Sequence, residues 1–184
     1  MRSIEYMAEA RRVCQNLLVR AQSGGLDGVV SATLSDLASI SLSLGDTETA
    51  MQTCQQLLDR GRHRRDNFIL HALAIVACVS FVKGDLVGAR AALTDFVSAS
   101  RSRDWEWLGL YASLLALMAA LEGRHDAAAR LLGYGEQSYS QQGVRNVLTV
   151  YAWTRAHSLV QDALDSAVMA RLKEQGAKLD PESV

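Results

Sequence analysis

The sequence predicts an all-α fold, a right-handed α-solenoid built from antiparallel helix pairs. Apolar residues recur with helical spacing along almost the whole chain, and short polar segments containing glycine interrupt them. The only proline, Pro181, lies close to the end of the 184 residues, so no internal proline breaks a helix. No segment alternates as a strand does. We expect eight helices of about 15–20 residues, the eighth over roughly 144–165, and a short last helix near 165–175.

Three glycines give the pattern its period. Gly45, Gly84 and Gly123 are 39 residues apart, and an alanine lies seven residues before and five residues after each of them. A fixed period of this size is typical of helical repeats. Each unit should be a helix, a glycine whose positive φ ends it, and a second helix running back. The alanines are Ala38, Ala77 and Ala116 before the glycines, and Ala50, Ala89 and Ala128 after them.

This period divides a single helical-repeat domain, 1–184, into units. The segment ARRVCQNLLVR (10–20) matches AMQTCQQLLDR (50–60) at Ala, Cys, Gln, Leu, Leu and Arg, so the first helix is the second half of a unit. The predicted division is a half-unit at 1–24, units at 26–64, 65–103 and 104–142, and divergent terminal helices at 143–184.

The repeated alanines have a physical reason, because two helices that pack closely need a small residue where their axes approach. A larger side chain at such a contact should overpack it by about 1–3 kcal/mol. Ala77→Leu and Ala89→Leu are therefore expected to lower the melting temperature. Ser100→Leu, at a helix end, is expected not to.

Charge and composition limit the partners and the location. There are 19 basic and 20 acidic residues, a net charge of −1, so broad attraction to nucleic acid or to an anionic membrane is not expected. Charged residues near the start leave no apolar core for a signal peptide, so none is expected. The apolar run at 68–82 is shorter than the roughly 20 residues of a membrane span and predicts a buried helix. Three cysteines without metal-type spacing fit a reducing cytoplasm.

No pattern of catalytic or metal-binding residues is present. The four histidines, His63, His71, His125 and His157, pair with no other ligand at helical metal spacing. No Ser or Cys has a recognisable base or glycine elbow around it. The segment KGDLVGARAAL (83–93) resembles a phosphate loop only in its glycines, because helix is predicted on both sides. We expect a protein that is not an enzyme and has no cofactor or metal.

Candidate binding residues lie on the first helix of each predicted pair, which should line the concave face of a solenoid. They are small, neutral or apolar, which suits an apolar helix or a modest small molecule. Trp105 and Trp107 are candidate aromatic anchors, one expected in the core and the other exposed. The candidate concave-face residues are Ser35, Ser39, His71, Ala74, Cys78, Leu110, Ser113 and Leu117.

The helix pairs with a turn glycine and flanking small residues resemble tetratricopeptide repeats. The resemblance covers 26–64, 65–103 and 104–142, and the long unit is closer to the repeats of MalT-type regulators. The C-terminal third resembles the end of the tetratricopeptide-like region of large bacterial ATPases and transcriptional activators of the MalT or LuxR kind. The residues that carry this second resemblance are Ala129, Arg130, Leu131, Leu132, Gly133, Glu174, Gly176, Leu179 and Glu182.

In such regulators the ATPase and DNA-binding modules lie elsewhere, and the repeat region binds partners or senses an inducer. The resemblance therefore implies a cytoplasmic, non-catalytic interaction region that meets a protein partner or other domains of a longer chain and does not itself bind nucleic acid or membrane. Two alternatives stay open. One is a sensor that binds a small inducer, and the other is a structural module that forms a homodimer through its first helix.

Overall fold

The computed structural model describes residues 2–61, 68–101, 106–142 and 147–180, and within these ranges the chain is helix and turn without a strand. The all-α prediction is confirmed. The described ranges contain nine helices, which matches the eight expected helices and the short last one. They are α1 (Arg2–Ser23), α2 (Asp27–Ser43), α3 (Thr47–Gly61), α4 (Phe68–Lys83), α5 (Leu86–Arg101), α6 (Glu106–Leu121), α7 (His125–Gln142), α8 (Val147–Ala163) and α9 (Ser166–Ala177).

Four turns between helices share one hydrogen-bonded form. Each contains a glycine with φ between 65° and 78°, and the three glycines predicted from the repeat are among them. The residue after each glycine donates its N–H to the carbonyl five residues back, always at 2.9 Å, and the glycine donates to the carbonyl three residues back. This is the Schellman motif, which ends a helix and requires a left-handed residue. The glycines are Gly25, Gly45, Gly84 and Gly123.

The chain divides into two compact units, Met1–Asp85 and Leu86–Val184. In the first, α2 packs against α1, α3 and α4, and α3 also contacts α4. Most of α4 is buried, which confirms that the apolar run at 68–82 is a buried helix. In the second, α6 contacts α5, α7 and α8, while α7 also packs against α8 and α9. The boundary falls inside the predicted unit 65–103, and the division into repeats stays a prediction.

The small residues predicted from the repeat to lie at close helix contacts are buried. All six alanines that flank the turn glycines have 0 % of their surface exposed. The expectation for Ser100 is wrong, because this residue is also fully buried and its hydroxyl donates to the carbonyl of Phe96 at 2.9 Å. A leucine there would overpack the core. Ala91, on the exposed side of α5, is a position that can accept one.

Helices α7 and α9 cross with their backbones in contact. A Cβ built on Gly133 would collide with the carbonyl of Lys173, and a Cβ built on Gly176 would collide with the carbonyl of Arg130. The contact is reciprocal, because on each helix the glycine and the opposing carbonyl are three residues apart and so lie on one face. Both glycines belong to the segments that resemble the regulator family. No helix in the described ranges is long and apolar enough to cross a membrane.

Candidate functional site

An open groove of about 520 Å³ lies between α5 and α6 and reaches Leu131 of α7. Its lining residues recur at three- and four-residue spacing on both helices, so each helix contributes a single face. From α5 these residues are Arg90, Leu93, Thr94, Val97, Ser98 and Arg101. From α6 and the following turn they are Leu115, Met118, Ala119, Glu122 and Arg124. We call this cavity the α5–α6 groove.

The floor of the α5–α6 groove is apolar. Leu93 and Met118 are buried floor residues, 3 % and 5 % exposed, while the side chains of Val97 and Leu115 are partly exposed. Ser98 is exposed along the α5 side. An apolar cleft edged by polar groups is the usual form of a surface that binds the apolar side of a ligand or a helix.

Positive charge gathers at the rim. Glu122, whose side chain is 13 % exposed, lies between two arginines. The Nη2 atom of Arg90 is 2.5 Å from its Oε1 atom, and the Nε atom of Arg124 donates to its Oε2 atom at 2.8 Å. Both arginines keep about two thirds of their side-chain surface exposed, at 63 % and 60 %. With Arg101, the described residues of the lining carry three positive charges and one negative charge.

The residues predicted for the concave face lie mostly inside the protein. Those that are buried are Ser35, Ala74, Cys78, Ser113 and Leu117. Ser39, His71 and Leu110 keep partly exposed surface. Five of the eight belong to the first unit and three to the second. Their role in binding stays a prediction.

The structure brings Ser39 and His71 together. The hydroxyl of Ser39 donates to the carbonyl of Ser35 at 3.1 Å and lies 2.7 Å from the Nε2 atom of His71. The direction of this second bond depends on the tautomer of the ring, and a hydroxyl that donates to Ser35 accepts from Nε2–H. Burial lowers the pKa of His71 to about 4. Burial also raises the pKa of the Cys78 thiol to about 12. Near pH 7, His71 is therefore a neutral imidazole and Cys78 a protonated thiol.

One of the two predicted aromatic anchors is described. Trp107 stacks on Tyr111 with ring centroids 6.2 Å apart, and Tyr111 meets the ring of Phe96 edge-on at 5.6 Å. Trp107 is partly exposed at the outer end of this aromatic row, while Tyr111 is buried. Trp105 lies outside the described residues. The row holds the start of α6 against α5, beside the groove.

A second cluster, which the sequence reasoning missed, joins the last three helices. Glu136 on α7 accepts a hydrogen bond from the indole Nε1–H of Trp153 at 2.9 Å and pairs with the Nζ atom of Lys173 at 2.7 Å. The ring of Trp153 lies 4.8 Å from that of His157. A cavity of about 400 Å³ between α8 and α9 is lined by His157 and Lys173. Among the described residues no three His, Cys, Asp or Glu side chains gather as metal ligands do.

The first helix exposes part of its apolar surface. Tyr6, Val13 and Leu17 are 74 %, 53 % and 44 % exposed and share one side of α1 at heptad-like spacing. This side is where the predicted self-association through the first helix would occur. Sedimentation tests that prediction, because a monomer at high micromolar concentration rules it out.

The α5–α6 groove itself also escaped the sequence reasoning, although the sequence holds a signal for it. Arg90 and Arg101 are eleven residues apart, which is about three helical turns, so they share a face with Leu93 and Val97.

In comparisons with known proteins, the chain matches no family model, no curated protein and no solved structure.

Proposed function

We propose that this chain is a non-catalytic helical-repeat scaffold for protein–protein interaction, the regulatory or sensory region of a bacterial transcriptional regulator. The observation that carries the proposal is the α5–α6 groove, an accessible apolar cleft formed by single faces of two helices. Helix-in-groove recognition uses a surface of this kind. The link to transcription rests on the resemblance of the C-terminal third to MalT- and LuxR-type regulators.

The turn geometry supports the scaffold. Gly45, Gly84 and Gly123 recur at 39 residues with the same positive φ and the same hydrogen bonds. Identical helix ends at a fixed spacing are what an array of antiparallel pairs needs. In a solenoid of this kind each unit packs on its neighbours, and the exposed faces are left to bind partners.

The state of the titratable groups supports a non-catalytic role. Burial lowers the pKa of His71 to about 4 and raises those of Cys54 and Cys78 to about 12. A base with so low a pKa and thiols with so high a pKa are poorly matched to proton transfer or nucleophilic attack near pH 7. Near pH 7 these groups are in their neutral forms.

Transcript profiling tests the proposal in the organism that carries the gene. Deletion of the gene should change a defined set of transcripts, and Ser98→Trp, which fills the groove from its exposed edge, should change the same set in the same direction. Ser158→Trp, at an exposed position of α8 outside the groove, is the matched control and should leave the transcripts as in the wild type. Unchanged transcripts after deletion would contradict the regulatory role.

The size of the groove favours a second candidate, a sensor for a small inducer. Its volume of about 520 Å³ lies within the roughly 300–1,000 Å³ of small-molecule sites. A thermal-shift screen with metabolites separates the two candidates. A metabolite that raises the melting temperature of the wild type and of Ser158→Trp, but not of Ser98→Trp, would establish the sensor. A screen without such a compound leaves the protein-binding role as the proposal.

A further inference from the structure

The charges around the α5–α6 groove indicate which charge its binding partner should have. The described residues that line the cleft include three arginines and one carboxylate, Glu122, which pairs with Arg90 and Arg124. The chain as a whole is close to neutral, with a net charge of −1. The rim is therefore a local concentration of positive charge, and complementary charge on a partner would steer it to this site.

The shape of the groove adds a second requirement. Its α5 side runs from Arg90 to Arg101, about three turns or 16 Å of helix, and its α6 side presents Leu115 and Met118 along the same cleft. Arg90 and Arg124 meet at Glu122, at one end of the groove, and Arg101 lies at the other end of its α5 side. A complementary partner needs an apolar stripe about three turns long that is flanked at its ends by negative charge.

We propose that the α5–α6 groove binds an amphipathic helix of a partner protein whose apolar stripe is flanked by Asp or Glu side chains. This inference deepens the proposed function and rests on it. The apolar anchors of the helix lie on Leu93, Val97 and Met118, and its carboxylates meet the three arginines of the rim. Guanidinium groups suit this role because their planar donors match carboxylates in two-bond geometry.

The lining favours a protein helix over nucleic acid. Single-stranded nucleic acid is usually held by aromatic side chains on which bases stack, and none of the described residues that line the groove is aromatic. Duplex binding needs a broad basic surface. The mixture of aliphatic floor and arginine rim fits acidic side chains on an apolar helix better than a phosphate backbone.

Fluorescence anisotropy with designed peptides tests the inference on the full chain. The probe is a labelled peptide of about 16 residues with Leu at i, i+3, i+4 and i+7 and Glu at the flanking positions. One control peptide replaces every Glu by Gln, a second replaces every Glu by Lys, and a labelled DNA duplex is the third probe. We expect the Glu peptide to bind, the Gln peptide to bind at least about tenfold more weakly, and rising salt to weaken the Glu peptide more.

Two variant pairs locate the binding. Ser98→Trp should weaken the Glu peptide at least about tenfold by filling the cleft, while Ser158→Trp should not change the affinity. Arg101→Gln should weaken it about threefold, while Arg171→Gln, at an exposed position of α9, should not. Circular dichroism of each variant confirms that the helix content is unchanged.

Each other outcome overturns the inference in a different way. Equal or tighter binding of the Gln or Lys peptide would contradict the claim that the partner helix is acidic, while the groove would remain a protein-binding site. Binding that Ser98→Trp leaves unchanged places the peptide elsewhere. Tighter binding of the DNA duplex, in competition with the peptide, makes the rim a polyanion site. Failure of all the peptides rejects helix recognition here, while the transcript profile still decides the regulatory role independently.

Discussion

Gly133 on α7 and Lys173 on α9 meet backbone to backbone, since the α-carbon of this glycine faces the lysine carbonyl with no room for a methyl group. Gly176 faces the carbonyl of Arg130 in the same way. Two glycines thus form one crossing point, at which α9 packs on α7 within the second unit. The crossing also places Lys173 within reach of Glu136 at 2.7 Å.

Gly133→Ala and Gly176→Ala should each destabilise the protein by about 1–3 kcal/mol or more, because the added methyl group must push two helices apart. Urea unfolding monitored by circular dichroism measures the loss. Gly28→Ala is the matched control, since its added Cβ would meet no atom within 4 Å. Alanine there should be neutral or stabilise α2 by up to about 1 kcal/mol. Equal stability of Gly176→Ala and wild type would contradict the close crossing.

The pKa of His71 predicts how stability depends on pH. The pKa of this imidazole is about 4 in the folded protein, below its ordinary value. As the pH falls, the unfolded chain therefore binds a proton at His71 before the folded chain does. Stability should therefore fall by about 2 kcal/mol between pH 7 and pH 5 through this residue. His71→Gln has no imidazole to titrate, so its stability should fall by about 2 kcal/mol less than that of the wild type over the same pH range. Parallel urea unfolding of the two proteins at several pH values checks it, and identical slopes would contradict it.

The thiols should differ in reactivity. Burial raises the pKa of both Cys54 and Cys78 to about 12, and both are buried, whereas Cys14 is partly exposed. The pKa of Cys14 is also raised, by burial and by Asp36. A short pulse of N-ethylmaleimide at neutral pH, read by peptide mass spectrometry, should modify Cys14 first. In urea all three should react alike. Modification of Cys78 as fast as Cys14 in the folded protein would show that α4 is less well packed than described.

Overpacking tests the repeated small residue. Ala89→Leu places a larger side chain at a fully buried position and should lower the free energy of unfolding by about 1–3 kcal/mol, which is several degrees in melting temperature for a chain of this size. Ala91→Leu, two residues further along α5 on its exposed side, should leave the melting temperature unchanged. Differential scanning calorimetry of the two variants gives the comparison. Two equal melting temperatures would contradict the packing role of Ala89.

The sequence was informative where local chemistry decides the structure. A glycine that must take a positive φ ends its helix wherever the chain folds, so Gly45, Gly84 and Gly123 could be assigned from spacing alone. Alanines repeated around those turns marked buried positions because helices that pack closely need small residues there. Ser100 was misjudged, because its place near the end of α5 does not reveal that the chain covers it.

The candidate site was harder to predict because it depends on which helix faces meet. Ser35, Cys78 and Leu117 occupy the expected side of their helices, but burial leaves them little surface. The α5–α6 groove joins residues from separate helices, and only the packing of α5 against α6 leaves a cleft between them. The spacing of Arg90 and Arg101 placed them on one face without indicating that α6 would complete it.

Methyl NMR most directly tests the claim that this chain holds a partner helix in the α5–α6 groove. Met118 lies in the groove floor, and Met169 lines the separate cavity between α8 and α9, so the two methyl groups report on different sites. In protein labelled at the methionine methyls, titration with the acidic amphipathic peptide should shift the Met118 signal and leave the Met169 signal in place. A shift of Met169 with Met118 unmoved, or no shift of either at saturating peptide, would contradict the claim.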